Sequence, residues 1–367
     1  MYTIDLGKTS PGKTSQAFAK HPVGAKTCEV SRRDFLKLAG AGLLGLLLPQ
    51  LDLESAHAQF IPDQQGRVTT AILNIYDTPS YTGQVVRAYW RDLVFPISGS
   101  VISDDVTAFN RVWYKAGEDG YAYSGAVQPV RTLLNAPVLL LPEEGALAEV
   151  TVPYTDARWD AGQDKAFAYR FYYETTHWVE AVVRDGEGNP WYKVYDDKWK
   201  FHYYAQAEHL RIVPVEELTP LSPDVPAYLK RIEVRLNEQV AIAYEGQIPV
   251  FMARIASGGR FRNGSYSTPV GHHIIYHKRP YRHMAAGDLA SNGFDLPGIP
   301  WVSYITESGV ALHGTYWHND YGHPRSHGCI NLTPQSAKWL YRWTLPVVPP
   351  SQQMAYEETG TGVDVIE

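Results

Sequence analysis

The feature that most constrains this fold is a sequence of strand endings that occurs twice. Trp113-Tyr114-Lys115, Tyr121-Ala122-Tyr123 and Val127-Gln128-Pro129-Val130 are followed by Trp191-Tyr192-Lys193-Val194, Tyr203-Tyr204-Ala205 and Leu210-Arg211-Ile212-Val213-Pro214-Val215. Two related β-modules are the simplest source of such a repeat. Arg67 to Tyr76 alternates apolar and polar residues as one half-buried strand, which Asp77-Thr78-Pro79-Ser80 ends as a turn. Glu216 to Pro226 carries Pro220, Pro223 and Pro226 and reads as a stiff linker.

After the linker the alternation is cleaner. Ile232, Val234 and Leu236 share one strand face, Val240, Ile242 and Tyr244 the next, and Leu236 to Gln239 turns between them. Ile248 to Ile255 gives a third strand, so a meandering antiparallel sheet is expected. One helix is predicted: Thr333 caps it, Pro334 suits its first position, Ala337, Leu340 and Tyr341 share a face, and Pro346 prevents continuation. The acidic tail 351–367 ends in Val363-Asp364-Val365-Ile366, a final edge strand or a disordered end. The fold class is therefore mainly β.

The order of strand, Leu-Asn-Ile, proline turn, Trp-Tyr-Lys, aromatic pair and closing Pro-Val resembles bacterial Src-homology-3-like barrels. It covers residues 66–131 and, in divergent form without a clear opening strand, 132–215. The resemblance implies modules that hold an enzyme against peptidoglycan; aromatics that serve only as barrel core or spacer are the alternative.

The amino-terminal region reads as an export signal. Ser31-Arg32-Arg33-Asp34-Phe35-Leu36-Lys37 is a twin-arginine motif, followed by the apolar run Leu38 to Leu48 and the small-residue site Ala56-His57-Ala58. Residues 1–58 are expected to be removed, leaving a mature chain in the periplasm or cell wall. The run is shorter than the roughly 20 residues that cross a bilayer, and no transmembrane segment is expected after cleavage. Cleavage would remove Cys28, one of the chain's two cysteines, and leave Cys329 without a disulfide partner. The net charge of -6 argues against nucleic acid and anionic membrane surfaces as partners.

Chemistry concentrates in Ser326-His327-Gly328-Cys329-Ile330-Asn331 and in His313-Gly314. A thiol becomes a strong nucleophile when a neighbouring histidine takes its proton, and both His313 and His327 are available. His313 follows the apolar strand Val310-Ala311-Leu312; His327 lies two residues before Cys329. Gly328 lets a carbonyl substrate approach the backbone, where the N–H groups of Gly328 and Cys329 can hold an oxyanion. His318, His323 and His327 beside Cys329, and the group His272, His273, His277 and His283, raise a metal site as a rival. Neither group has a recognised zinc spacing, and alternation puts His273 and His277 on one strand face with His272 on the other. No metal and no organic cofactor are expected.

These motifs resemble the signature of the L,D-transpeptidase catalytic domain, also called YkuD-like, over residues 228–350. Ser257-Gly258-Gly259, Thr268-Pro269-Val270-Gly271, Gly298-Ile299-Pro300-Trp301 and Ala337-Lys338-Trp339-Leu340-Tyr341 occur in that family's order. The resemblance implies Cys329 as nucleophile, His313 as general base, and His327, Gly328 and Cys329 as oxyanion donors within a motif opened by Ser326. It implies acyl transfer on peptidoglycan stem peptides, cross-linking third-position residues, with carboxypeptidation and protein anchoring as alternative outcomes. A wall-binding protein with an inactive enzyme domain is the alternative of another class, and it would lack the nucleophile or base that this chain retains. Asn331 stands where many members have arginine and others asparagine, which leaves substrate selection open. The loop-like stretch from Tyr276 to Trp301 resembles the family's lid, and Tyr316 and Trp317 are candidate substrate contacts, with ordinary packing as the alternative for each.

Overall fold

Arg67 to Tyr76 forms two strands rather than one. β1 (Gln65–Val68) and β2 (Ile72–Tyr76) are separated by a corner where Thr70 Oγ1 donates to Ile72 O at 3.0 Å. The first strand pairs with β4 (Val94–Ile102) and β7 (Val127–Val130), the second with β3 (Val85–Trp90) and β6 (Tyr121–Tyr123). The alternating pattern continues across the corner, so a period-two reading cannot see the change of partners. With β5 (Val112–Ala116) the sheet order is β3-β2-β6-β5-β4-β1-β7. Val68, Ile75, Phe95, Ala122 and Val127 fill its core. The computed structural model describes residues 64–261, 264–287 and 293–367, all inside one unit, Glu54–Glu367. The twin-arginine motif, the apolar run and the Ala56-His57-Ala58 site lie outside the described residues.

The second module consists of β8 (Ala146–Val150), β9 (Tyr154–Arg158), β10 (Phe167–Tyr172), β11 (Thr176–Arg184), β12 (Pro190–Tyr195), β13 (His202–Gln206) and β14 (Leu210–Ile212). Its order, β10-β9-β13-β12-β11-β8-β14, reproduces the first module strand for strand. The opening strand shows no alternation because it is buried on both faces from Leu147 to Val150. One face packs in its own module, while Leu147, Trp178 and Val213 join the core of the following domain. The repeat extends to an acidic residue in left-handed backbone at the same turn, Asp92 (φ 65°) and Glu174 (φ 61°).

The proline-containing segment is docked on its neighbours: Leu221 N–H donates to Arg342 O at 3.0 Å, and Glu217 pairs with Arg211 and Lys338. Beyond it lie β15 (Lys230–Arg235), β16 (Val240–Glu245), β17 (Ile248–Arg254), β18 (Arg260–Phe261), β19 (Gly264–Ser265), β20 (Gly271–Ile274), β21 (His277–Ala286), β22 (Phe294–Tyr304), β23 (Ala311–Gly314) and β24 (Ile330–Leu332). Then come α1 (Pro334–Trp343), β25 (Ala355–Tyr356) and β26 (Gly362–Ile366). Two five-stranded sheets result, β17-β16-β15-β26-β20 and β24-β23-β22-β21-β25. The expected meander of β15, β16 and β17 is intact and antiparallel, and the last strand adds beside β15 in parallel. Val363 and Val365 are accordingly buried, and the carboxyl-terminal strand is interior rather than edge or disordered.

Two further expectations change. The stretch from Tyr276 to Trp301 is mainly a long antiparallel hairpin of β21 and β22, whose bulge at Arg282/Met284 and prolines obscure the period. His273 and His277 lie on different strands, so alternation does not relate them.

α1 starts where Thr333 Oγ1 accepts the Ser336 N–H at 3.2 Å, and its apolar face covers Leu312, Ile330 and Leu332. Its far end is closed by a buried lysine: Lys278 Nζ donates to Tyr341 O at 2.5 Å and Thr344 O at 2.7 Å. Burial holds this amine well below the usual lysine range. Lys278→Met would leave both carbonyls in an apolar environment without donors. A loss of about 2 kcal/mol or more is expected in urea unfolding, and an unchanged midpoint would contradict this role.

Candidate active site

Cys329 immediately precedes β24, and His313 is the third residue of the neighbouring parallel strand β23. The register pairs Leu312 with Ile330 and His313 with Asn331. Cys329 therefore comes level with Ala311, and residues two apart on a strand share a face. Strand spacing and rise put the Cα atoms of Cys329 and His313 roughly 8 Å apart, with both side chains on one side of the sheet. Asn331 joins them on that face.

The imidazole of His313 is buried, and its Nδ1 lies 3.0 Å from Gly314 O. Donation from Nδ1–H to that carbonyl leaves Nε2 as the proton acceptor. Burial pulls His313 down to about 4. Burial pushes the Cys329 thiol up to about 11, against a smaller opposing backbone hydrogen bond with Ala311. Between these values the resting pair is a neutral thiol and a neutral imidazole. Cys329 packs against a buried cluster of Ile299, Val302, Ala311 and Tyr316, which Met284, Leu296 and Tyr304 of the β21–β22 hairpin, Trp317 and Tyr172 also border. Tyr304, which sequence reasoning did not single out, is close enough for the thiol to raise its phenol further, in addition to the effect of burial. Its only sequence signal is its place three residues after Trp301.

The motif loop is internally braced. Gly328 N–H donates to Ser326 Oγ at 3.1 Å, and that hydroxyl donates to Cys329 O. The Gly328 N–H is thus engaged by a rotatable hydroxyl. Thr268 Oγ1 accepts the Gly258 N–H at 2.9 Å and donates to Gly328 O at 2.8 Å. Gly328 has φ 112°, a conformation that side chains disfavour. Gly328→Ala is expected to cost about 1–3 kcal/mol and to slow any chemistry at Cys329, read as a lowered Tm and rate. A variant with the parental Tm would contradict the strain.

His327 turns toward aromatic neighbours: its ring stacks on Phe261 at 4.5 Å and meets Tyr266 at 4.5 Å and Phe294 at 5.9 Å. Tyr316 is buried, stacked on Tyr172 at 5.1 Å, with its hydroxyl unpaired. Trp317 is half-buried, its ring 5.8 Å from that of His313. Asn331 Nδ2 faces His318 Nε2 at 3.0 Å while its Oδ1 is buried without a partner. His318 Nδ1 accepts the Asp320 N–H at 3.2 Å, so its own proton belongs on Nε2. With the amide N and O of Asn331 exchanged, Oδ1 accepts from His318 Nε2–H and Nδ2 takes the buried position without a partner.

The remaining histidines diverge. His323 packs on Phe109, His272 meets Asp364 and His273 faces Pro269 O. His277 stacks on Tyr304, and His283 lies between Asp196 and Asp295. Among the described residues no group of three or more His, Cys, Asp or Glu is arranged to hold a metal ion. Among them, too, no helix is long and apolar enough to cross a membrane.

Residues 229–365 match the YkuD family, the L,D-transpeptidase catalytic domain. A curated relative, L,D-transpeptidase 2 of Mycobacterium tuberculosis, is 30% identical over 89 residues, covering 21% of this chain and 21% of that protein. The match thus spans about a fifth of the relative's length. Among solved structures, the catalytic domain of the E. faecium L,D-transpeptidase is 25% identical, covers 37% of this chain and 96% of its own, and has a TM-score of 0.30. An L,D-transpeptidase from Mycobacterium smegmatis is 16% identical, with 53% and 90% coverage and a TM-score of 0.31.

Proposed function

Because residues 229–365 carry a YkuD domain, we propose that this chain is an exported cysteine acyltransferase that cross-links peptidoglycan stem peptides. The observation that carries the reading is the shared face of Cys329 and His313, with Nε2 left as proton acceptor by the bond at Nδ1. Cys329 Sγ attacks the carbonyl at the L-centre of the third stem residue as His313 Nε2 takes the thiol proton. The C–N bond to the terminal D-alanine breaks, its amine leaves with the proton from His313, and a thioester remains. An amine of a second stem then attacks the thioester, His313 accepts its proton, and the thiol is restored with a new amide bond. The oxyanion role falls to the His327, Gly328 and Cys329 N–H groups, with the Gly328 N–H leaving Ser326 Oγ as the oxyanion forms.

Water as acceptor gives carboxypeptidation, and a protein lysine gives anchoring. Twin-arginine export to the periplasm or wall belongs to the same reading, as does wall attachment through the amino-terminal modules. Incubation with purified tetrapeptide-stem fragments, followed by mass spectrometry, tests it. Dimers joined through third-position residues are expected; tripeptides alone would reassign the reaction to carboxypeptidation, and unchanged fragments would contradict acyl transfer to either acceptor.

A further inference from the structure

The loop from Thr315 to His327 joins the strand of His313 to the motif of Cys329, and it is gripped by the first β-module. At its start, Arg67 Nη2 donates to Tyr316 O at 2.6 Å. The same guanidinium donates to Asp92 at 2.7 Å and to Gln128 Oε1 at 2.7 and 3.0 Å, and lies 4.0 Å over the Tyr172 ring. Asp92 also receives Arg170 of the second module at 3.0 Å. Burying an arginine is costly unless its donors are met, and here each of its nitrogens has a partner.

The middle of the loop is held as well. Asn319 N–H donates to Gly125 O at 3.1 Å, and its Nδ2 reaches Tyr114 Oη at 3.2 Å. Tyr123 Oη donates to Asp320 Oδ1 at 2.7 Å, and Asp320 binds Arg325 through its other oxygen. The N–H groups of Arg325 and Ser326 both donate to Ser257 O at 2.9 Å, and Ser326 Oγ bonds to Cys329 O. One chain of contacts thus runs from Tyr123 through Asp320, Arg325 and Ser326 to the nucleophile. Another runs from Arg67 through Tyr316 to Trp317, beside His313.

We propose that the first β-module is a clasp on this loop, setting the mutual placement of Cys329 and His313 while contributing no side chain to the site. The proposal rests on the acyl-transfer reading for its catalytic consequence. A free loop between base and nucleophile samples many arrangements, and fixing it from a rigid sheet reduces that sampling before substrate binds. Arg67, Tyr123 and Gly125 are positioning residues on this view.

Gly125→Ala probes it with one methyl group. A Cβ there would stand 2.4 Å from Asp320 Oδ1 and 2.6 Å from Tyr123 Cε1. Gly99→Ala, in the same module with nothing within 4 Å of its Cβ, is the control. Gly125→Ala is expected to keep a cooperative melt, lower kcat roughly tenfold or more with KM within about twofold, and shift the pH profile of Cys329 alkylation by iodoacetamide. Tyr123→Phe should move kcat and the profile in the same direction by less, and it decides the matter if Gly125→Ala does not fold. Gly99→Ala should match the parent. Parental kcat and alkylation profiles in both Gly125→Ala and Tyr123→Phe would overturn the clasp. If the parent makes no acyl-transfer product, the functional reading fails, and the alkylation profiles still decide the clasp on their own.

Discussion

Cys329→Ala is expected to abolish acyl transfer, lowering kcat by at least about 10⁴-fold, while the protein remains folded. The two halves of this result have separate origins. Without Sγ there is no atom to carry the acyl group, and the next candidate, the Ser326 hydroxyl, is engaged with the Gly328 N–H and Cys329 O. The residue is half-buried, its thiol has, among the described residues, only the Ala311 backbone bond and a distant 3.7 Å approach to Gly309 O, and alanine keeps the Cβ, so the fold should survive the loss of one sulfur. Thermal melting of the variant within a few degrees of the parent, with no cross-linked product, is the expected pair of observations. A variant that still forms dimers would assign the chemistry elsewhere.

His313→Gln is expected to lower kcat by about 10³-fold, because glutamine can still donate to Gly314 O but cannot relay a proton. The pH dependence identifies the cause. Burial holds His313 to about 4, so the imidazole is neutral and able to accept a proton above that value and becomes charged as pH falls through it. The parent's rate should therefore hold across mildly acidic pH and decline only toward pH 4. Burial also keeps the thiol protonated up to about 11, so direct alkylation of Cys329 should keep accelerating well past neutral pH. In His313→Gln the acid limb near pH 4 should disappear with the activity. An alkylation midpoint below neutrality would instead indicate a resting thiolate–imidazolium pair and contradict the neutral pair.

The sequence was most readable where structure is local. Thr333, Pro334 and the spacing of Ala337, Leu340 and Tyr341 define α1 within a few turns of chain, and Ile232 and Val234 alternate because β15 has one core face, whereas β16 is buried from Val240 to Tyr244 with Ala241 and Ala243 in the core. The second module's opening strand was invisible because Ala148 and Val150 serve one core while Leu147 serves another. Val363 and Val365 gave a strand signal without its location, since insertion beside β15 depends on residues far away in sequence. The β21–β22 hairpin was hidden by its bulge and prolines.

The candidate site divides in the same way. The short motifs put Cys329 near two candidate bases, His313 and His327, with the choice of His313 carried by the family resemblance, and the commitment of the Gly328 N–H to Ser326 is a matter of loop conformation. The stacking of His327 on Phe261 and the junction of Arg67 with Tyr316 are long-range contacts with no local pattern to announce them. Buried polar groups of this kind are recognised only once their partners are seen.

The central claim is that acyl groups pass through the Cys329 sulfur. Intact-protein mass spectrometry after mixing the protein with a tetrapeptide-stem donor, in the absence of acceptor, tests it most directly. The account predicts a mass increase equal to the donor less its terminal D-alanine, localised by peptide mapping to Cys329 and lost with Cys329→Ala. Release of D-alanine by a protein that never carries the adduct, undiminished in Cys329→Ala, would contradict it.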